Sequence, residues 1–121
     1  MLDNDLLIQY FINKATFLSL DYDDQKSQVS EFKMGDYFTE DIANDWFEDD
    51  IKILNKLVND KSISCKTIEL YSMINNNFID YSLNGKFYKE NIWTIKALKE
   101  HVFWENQRNL AKQFINELLK K

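Results

Sequence analysis

No proline occurs in this 121-residue chain, and its only glycines are Gly35 and Gly85. Proline and glycine supply most of the special turns that a β-sandwich needs, so a loop-rich sheet fold is disfavoured. Two isolated glycines also exclude a glycine-rich phosphate loop. The apolar residues instead recur at steps of three, four and seven, which places them on single faces of helices.

The first helix is expected from about Asp3 to Leu18, with Leu6, Leu7, Tyr10, Phe11, Phe17 and Leu18 on its apolar face. Asp3 or Asn4 is its capping residue. Residues 19–35 are less regular, and a short helix carrying Val29 and Phe32 is expected to end near Gly35. A third helix is expected from Asp36 or Thr39 to Asn59, on the stripe Ala43, Trp46, Asp50, Leu54 and Leu57, which Asp50 interrupts. Lys61-Ser62-Ile63-Ser64 forms a turn. A fourth helix runs from about Cys65 to Leu83 on Ile68, Tyr71, Ile74, Phe78 and Tyr81, and Asn84-Gly85 stops it. The last stretch, from Asn91 to Leu119, turns Ile92, Ile95, Leu98, Val102, Trp104, Ala111, Phe114 and Leu118 inward. It is long for a globular helix, so a bend is expected between Glu100 and Asn106. Long helices with short connectors predict an all-α fold: one domain over residues 1–121, built as an antiparallel bundle of four to five helices. A chain of this size buries enough surface to stand without disulfides or metals.

Charge is distributed unevenly. Residues 21–50 hold eleven carboxylates (Asp21, Asp23, Asp24, Glu31, Asp36, Glu40, Asp41, Asp45, Glu48, Asp49 and Asp50) against Lys26 and Lys33, a net −9. Residues 51–121 hold twelve basic and seven acidic residues, a net +5, and the whole chain carries −5. Like charges so closely spaced repel one another unless a partner neutralises them. The acidic segment is therefore a candidate docking face for a basic protein, which complementary charge would steer into contact. Solvation of these acids, helix-start stabilisation, or neutralisation by the basic half are the structural alternatives. Glu40, Asp41, Asp45 and Glu48 lie about one turn apart on the expected solvent face, and Tyr22, Tyr37 and Phe38 flank the acids as candidate anchors or as caps on the bundle's ends. The partner-binding set is Tyr22, Asp23, Asp24, Asp36, Tyr37, Glu40, Asp41, Asp45, Glu48 and Asp49.

Other chemistries find little support. A net acidic chain lacks the basic face that binds nucleic acid. No apolar run approaches the length of a membrane span, and the acidic N-terminus is unlike a secretory signal, so a cytoplasmic location is expected. Asp21-Tyr22-Asp23-Asp24 fails as a calcium loop because Lys26 and Phe32 stand where the central glycine and closing glutamate belong. No metal and no cofactor are expected. His101 has no nucleophile motif to serve and is expected to be structural or on the surface. Cys65 is expected as a small buried hydrophobe. Asn75-Asn76-Asn77 is either an exposed face or a polar interface. No catalytic activity is expected.

A single acidic helical domain, an acid cluster over 21–50 interleaved with Tyr22, Tyr37, Phe38 and Trp46, and no catalytic motif together resemble bacterial toxin-immunity proteins of the contact-dependent growth-inhibition and nuclease-colicin kinds. The resemblance implies binding to a cognate basic toxin domain, commonly a nuclease, and occlusion of its active site or substrate surface. A phage-type acidic DNA mimic and a structural or regulatory helical interaction module are the competing readings.

Overall fold

The computed structural model describes residues 3–25, 27, 43, 46, 49–82, 85 and 92–120. Among them every regular element is a helix: α1 (Asn4–Ser19), α2 (Asp50–Asn59), α3 (Lys66–Tyr81), α4 (Ile95–Glu100) and α5 (Val102–Leu119). The chain is all-α, as the apolar spacing predicts.

Helix α1 begins where a carboxylate can cap it. Asp3 Oδ1 accepts the amide of Asp5 at 2.8 Å. Its buried face is Leu7, Phe11, Ala15 and Leu18. Leu6 and Tyr10, expected on that face, are exposed instead. A helix docked against two neighbours buries one narrow stripe, and these two residues lie just beyond its edge.

Helix α2 departs from expectation in its start. Asp49 lies in a turn, Trp46 is not helical, and the helix opens at Asp50. Carboxylates stabilise the amide end of a helix, so Glu48-Asp49-Asp50 favours a start over a helix interior. The end of α2 is closed by Lys61 in the left-handed region, φ 61°. The amide of Lys61 donates to Val58 O and that of Ser62 to Leu57 O, both at 2.9 Å. These two bonds satisfy carbonyls that the helix would otherwise leave without donors.

Helix α3 ends at Tyr81, two residues earlier than expected. Gly85 then folds back over that end, its amide donating to Ser82 O at 2.8 Å. A Cβ there would overlap the carbonyl oxygens of Ile79 and Asp80, so glycine is required by close approach. Cys65, just ahead of α3, is exposed and not the buried residue expected. It precedes the buried face, which begins at Thr67.

The predicted bend falls at His101. The residue ends α4, donating its amide to Ala97 O at 2.8 Å. It also opens α5, where its Nδ1 accepts the amide of Phe103 at 3.0 Å. His101 is thus a structural cap. The break resets the helical phase, so Phe103 and Trp104 turn inward and Val102 becomes exposed.

Helix α5 is the centre of the packing and contacts α1, α3 and α4, while α2 packs on α3. Side-chain contacts give the senses of two pairs. Asn4 meets Lys56 and Asp60 while Lys14 meets Asp50, so α1 and α2 run oppositely. Tyr71 meets Phe114 while Asn77 meets Gln107, so α3 and α5 also run oppositely. The core is unusually aromatic. Phe11, Trp46, Tyr71 and Phe114 form one group, and Phe78, Trp93, Phe103 and Trp104 a second. Edge-to-face pairs of this kind add to the gain from area burial alone. Buried Gln107 is matched at both ends of its amide: Nε2 donates to Ile74 O at 3.0 Å, and Oε1 accepts from Asn77 at 2.9 Å. The asparagine run therefore contributes to a polar contact between helices as well as an exposed face.

Candidate functional site

Of the acids in residues 21–50, the described ones are Asp21, Asp23, Asp24, Asp49 and Asp50. The first four are exposed. Asp23 and Asp24 sit on a short helical turn, residues 22–25, that directly follows α1. Asp49, at the head of α2, is 4.0 Å from Lys52 in a fully solvated pair. Such exposed pairs contribute little. Among the described residues, Asp49–Lys52 is the only ion pair between an exposed carboxylate of this segment and a cation of residues 51–121. Asp36, Tyr37, Glu40, Asp41, Asp45 and Glu48 lie outside the described residues.

Asp50 behaves differently. It turns inward, and its Oδ2 accepts from Lys14 Nζ at 2.6 Å, Tyr71 OH at 2.9 Å and Tyr10 OH at 3.3 Å. The Lys14 ammonium also stands 4.7 Å from the Tyr10 ring centroid and 6.0 Å from that of Trp46. The residue that interrupts the apolar stripe is therefore a buried pin joining α1, α2 and α3. Trp46 is buried in the core, so it is unavailable as a surface anchor.

Tyr22 is half-buried and packs against the core, closer to the reading of a cap on the packing than to that of a fully exposed anchor. Its turn is held close to α1 because Gln25 is fully buried and donates to Phe17 O and Leu18 O at 3.2 and 3.1 Å. The Tyr22 ring forms one wall of an open groove of about 530 Å³. Asp21, Lys99, Glu100, His101, Glu105, Arg108, Asn109 and Lys112 complete its lining. Glu105, Arg108, Asn109 and Lys112 follow the spacing of a single helix face, and the elbow at His101 swings Lys99 and Glu100 alongside them. Half-burial lowers the Arg108 pKa from its ordinary value, and the nearby Asp21 and Glu105 charges partly oppose that shift.

No family model, no curated protein and no solved structure matches the chain. Function therefore has to be argued from the surface itself. Among the described residues no three or more His, Cys, Asp or Glu side chains are grouped to hold a metal ion, and no helix is long and apolar enough to cross a membrane. Two features stand out as places where another molecule could engage the protein: the acidic segment and the mixed-charge groove. Sequence reasoning named the first and missed the second. The available signal was small, namely one arginine among fifteen basic residues.

Proposed function

We propose that this chain is an immunity-type binding protein that neutralises a basic toxin domain, most simply a nuclease, by covering its active site or substrate surface. It acts in the cytoplasm as an antiparallel helical bundle, with carboxylates of residues 21–50 pairing with the partner's Lys and Arg. The observation that supports this reading is the charge imbalance: a −9 segment within a chain whose following 71 residues carry +5. Where the segment is described, its exposed carboxylates meet the basic half only in the solvated Asp49–Lys52 pair and through the charge of Asp21 near Arg108. A nuclease cleft is built to hold phosphates, and closely spaced carboxylates present the same sign of charge to it.

The test is a pull-down from the native host followed by charge reversal of Glu40, Asp41 and Asp45 together. A single basic polypeptide should co-purify in equal amount. The triple variant should bind it at least about tenfold more weakly, with a slower and less salt-sensitive association. An unchanged dissociation constant would remove the patch from the mechanism. If the captured partner is a host nuclease or defence complex rather than a toxin, the DNA-mimic reading replaces this one.

A further inference from the structure

Arg108, the chain's sole arginine, is held in an unusual way. Its Nε and Nη2 both donate to Gln25 Oε1, at 3.2 and 2.7 Å. Nη2 donates again to Leu98 O at 2.6 Å. All of these acceptors are neutral, and Gln25 is itself locked by two backbone carbonyls of α1. The guanidinium is thus positioned without being neutralised. Among the described residues no carboxylate forms an ion pair with it, and none accepts a hydrogen bond from its Nη1. A half-buried cation fixed by neutral groups is preorganised to receive an anion, because little side-chain entropy remains to be lost.

The groove beside it is of a size that takes small molecules, and its charge pattern narrows the choice. Lys99, Arg108 and Lys112 would attract an anion, but Asp21, Glu100 and Glu105 share the same lining. A phosphate dianion would meet three carboxylates there, and a simple amine would meet three cations. A ligand carrying one charge of each sign satisfies both sets. Lys99 Nζ stands over the Tyr22 ring, 5.8 Å from its centroid, which places that cation at the wall of the groove.

We propose that this groove binds a small zwitterion of the amino-acid class, its carboxylate on the free Nη1 edge of Arg108 and its ammonium beside Asp21 and Glu105. The site shares Asp21 and Tyr22 with the acidic segment but takes a ligand of different chemistry. The ligand's carboxylate completes the guanidinium's hydrogen bonding, and its ammonium restores local charge balance.

The test is an amide and arginine side-chain NMR titration of the full chain with L-phenylalanine, acetate, methylamine and inorganic phosphate as separate probes. L-phenylalanine should give saturable shifts at Tyr22, Lys99 and the Arg108 Nε–H, at least about tenfold tighter than acetate or methylamine. Arg108→Gln should abolish that preference, and Asp21→Asn with Glu105→Gln should reduce L-phenylalanine to the affinity of acetate. Because Arg108→Gln also disturbs the Gln25 network, Lys99→Gln with Lys112→Gln is a second probe on exposed residues. It should weaken L-phenylalanine by about threefold with an unchanged circular dichroism spectrum. Absence of saturable shifts in the groove up to tens of millimolar would overturn the proposal. So would tightest binding by phosphate, or an affinity for L-phenylalanine that survives loss of both Asp21 and Glu105.

Discussion

Lys14 and Asp50 meet inside the protein as a 2.6 Å ion pair, with only 6% and 9% of their side chains exposed. The pair joins α1 to the first residue of α2, and Tyr71 brings in α3 by donating to the same carboxylate oxygen. Removing two charges from water is costly, and the contact tolerates that cost only because both charges are retained. Lys14→Met or Asp50→Leu alone should therefore destabilise the protein by roughly 3–5 kcal/mol, while the double variant should be much closer to wild type. Urea denaturation of the four proteins checks this. Additive single effects would show that the two charges are not energetically coupled.

Lys61 closes α2 in a left-handed conformation that glycine adopts without strain. Lys61→Gly keeps both closing hydrogen bonds and removes the steric conflict of the Cβ. The greater freedom of glycine in the unfolded chain offsets part of this gain. The variant should be more stable by about 0.5–1 kcal/mol, read as an upward shift of the urea midpoint with an unchanged slope.

Phe114 is fully buried and touches Phe11, Trp46 and Tyr71 by ring contacts. Phe114→Ala should cost roughly 3–5 kcal/mol, and Phe114→Leu markedly less because it refills most of the space. Thermal unfolding of both variants separates loss of volume from loss of the aromatic contacts.

Asp60 joins the end of α2 to the start of α1. Lys56 donates to its carboxylate at 3.0 Å, and Asn4 at 3.2 Å. The bond from Lys56 foremost, and then that from Asn4, hold its pKa below the ordinary 3.8. A depressed folded value means that the charged form favours folding. The contribution is present above 3.8 and is lost as pH falls through the lower folded value. Asp60→Asn should therefore be less stable than wild type at neutral pH, and the two should converge as the solution is acidified. A carboxyl-carbon NMR titration of the wild type reads the lowered midpoint directly.

The helix periodicity was legible because it is local. The spacing of Leu7, Phe11 and Leu18, or of Tyr71, Ile74 and Phe78, follows from 3.6 residues per turn. So does the expectation that the final stretch is too long to remain straight, and the break at His101 agrees with it. The exposure of Asp23, Asp24 and Asp49 is also what their charge dictates. Less visible was the phase after a break. Val102 falls on the inward face only if the apolar spacing runs unbroken across His101, and the break there turns it outward.

The amino-acid order alone determined an acidic, all-helical chain and the asymmetry between its two halves, since both follow from residue type and near-neighbour spacing. Tertiary structure decided which polar groups face one another. Asp50 is separated from Lys14 by 36 residues, and Gln25 from Arg108 by 83. No periodicity connects such positions. They come together only when apolar faces have packed, and burial then forces each polar group to find a partner or remain open to one from outside.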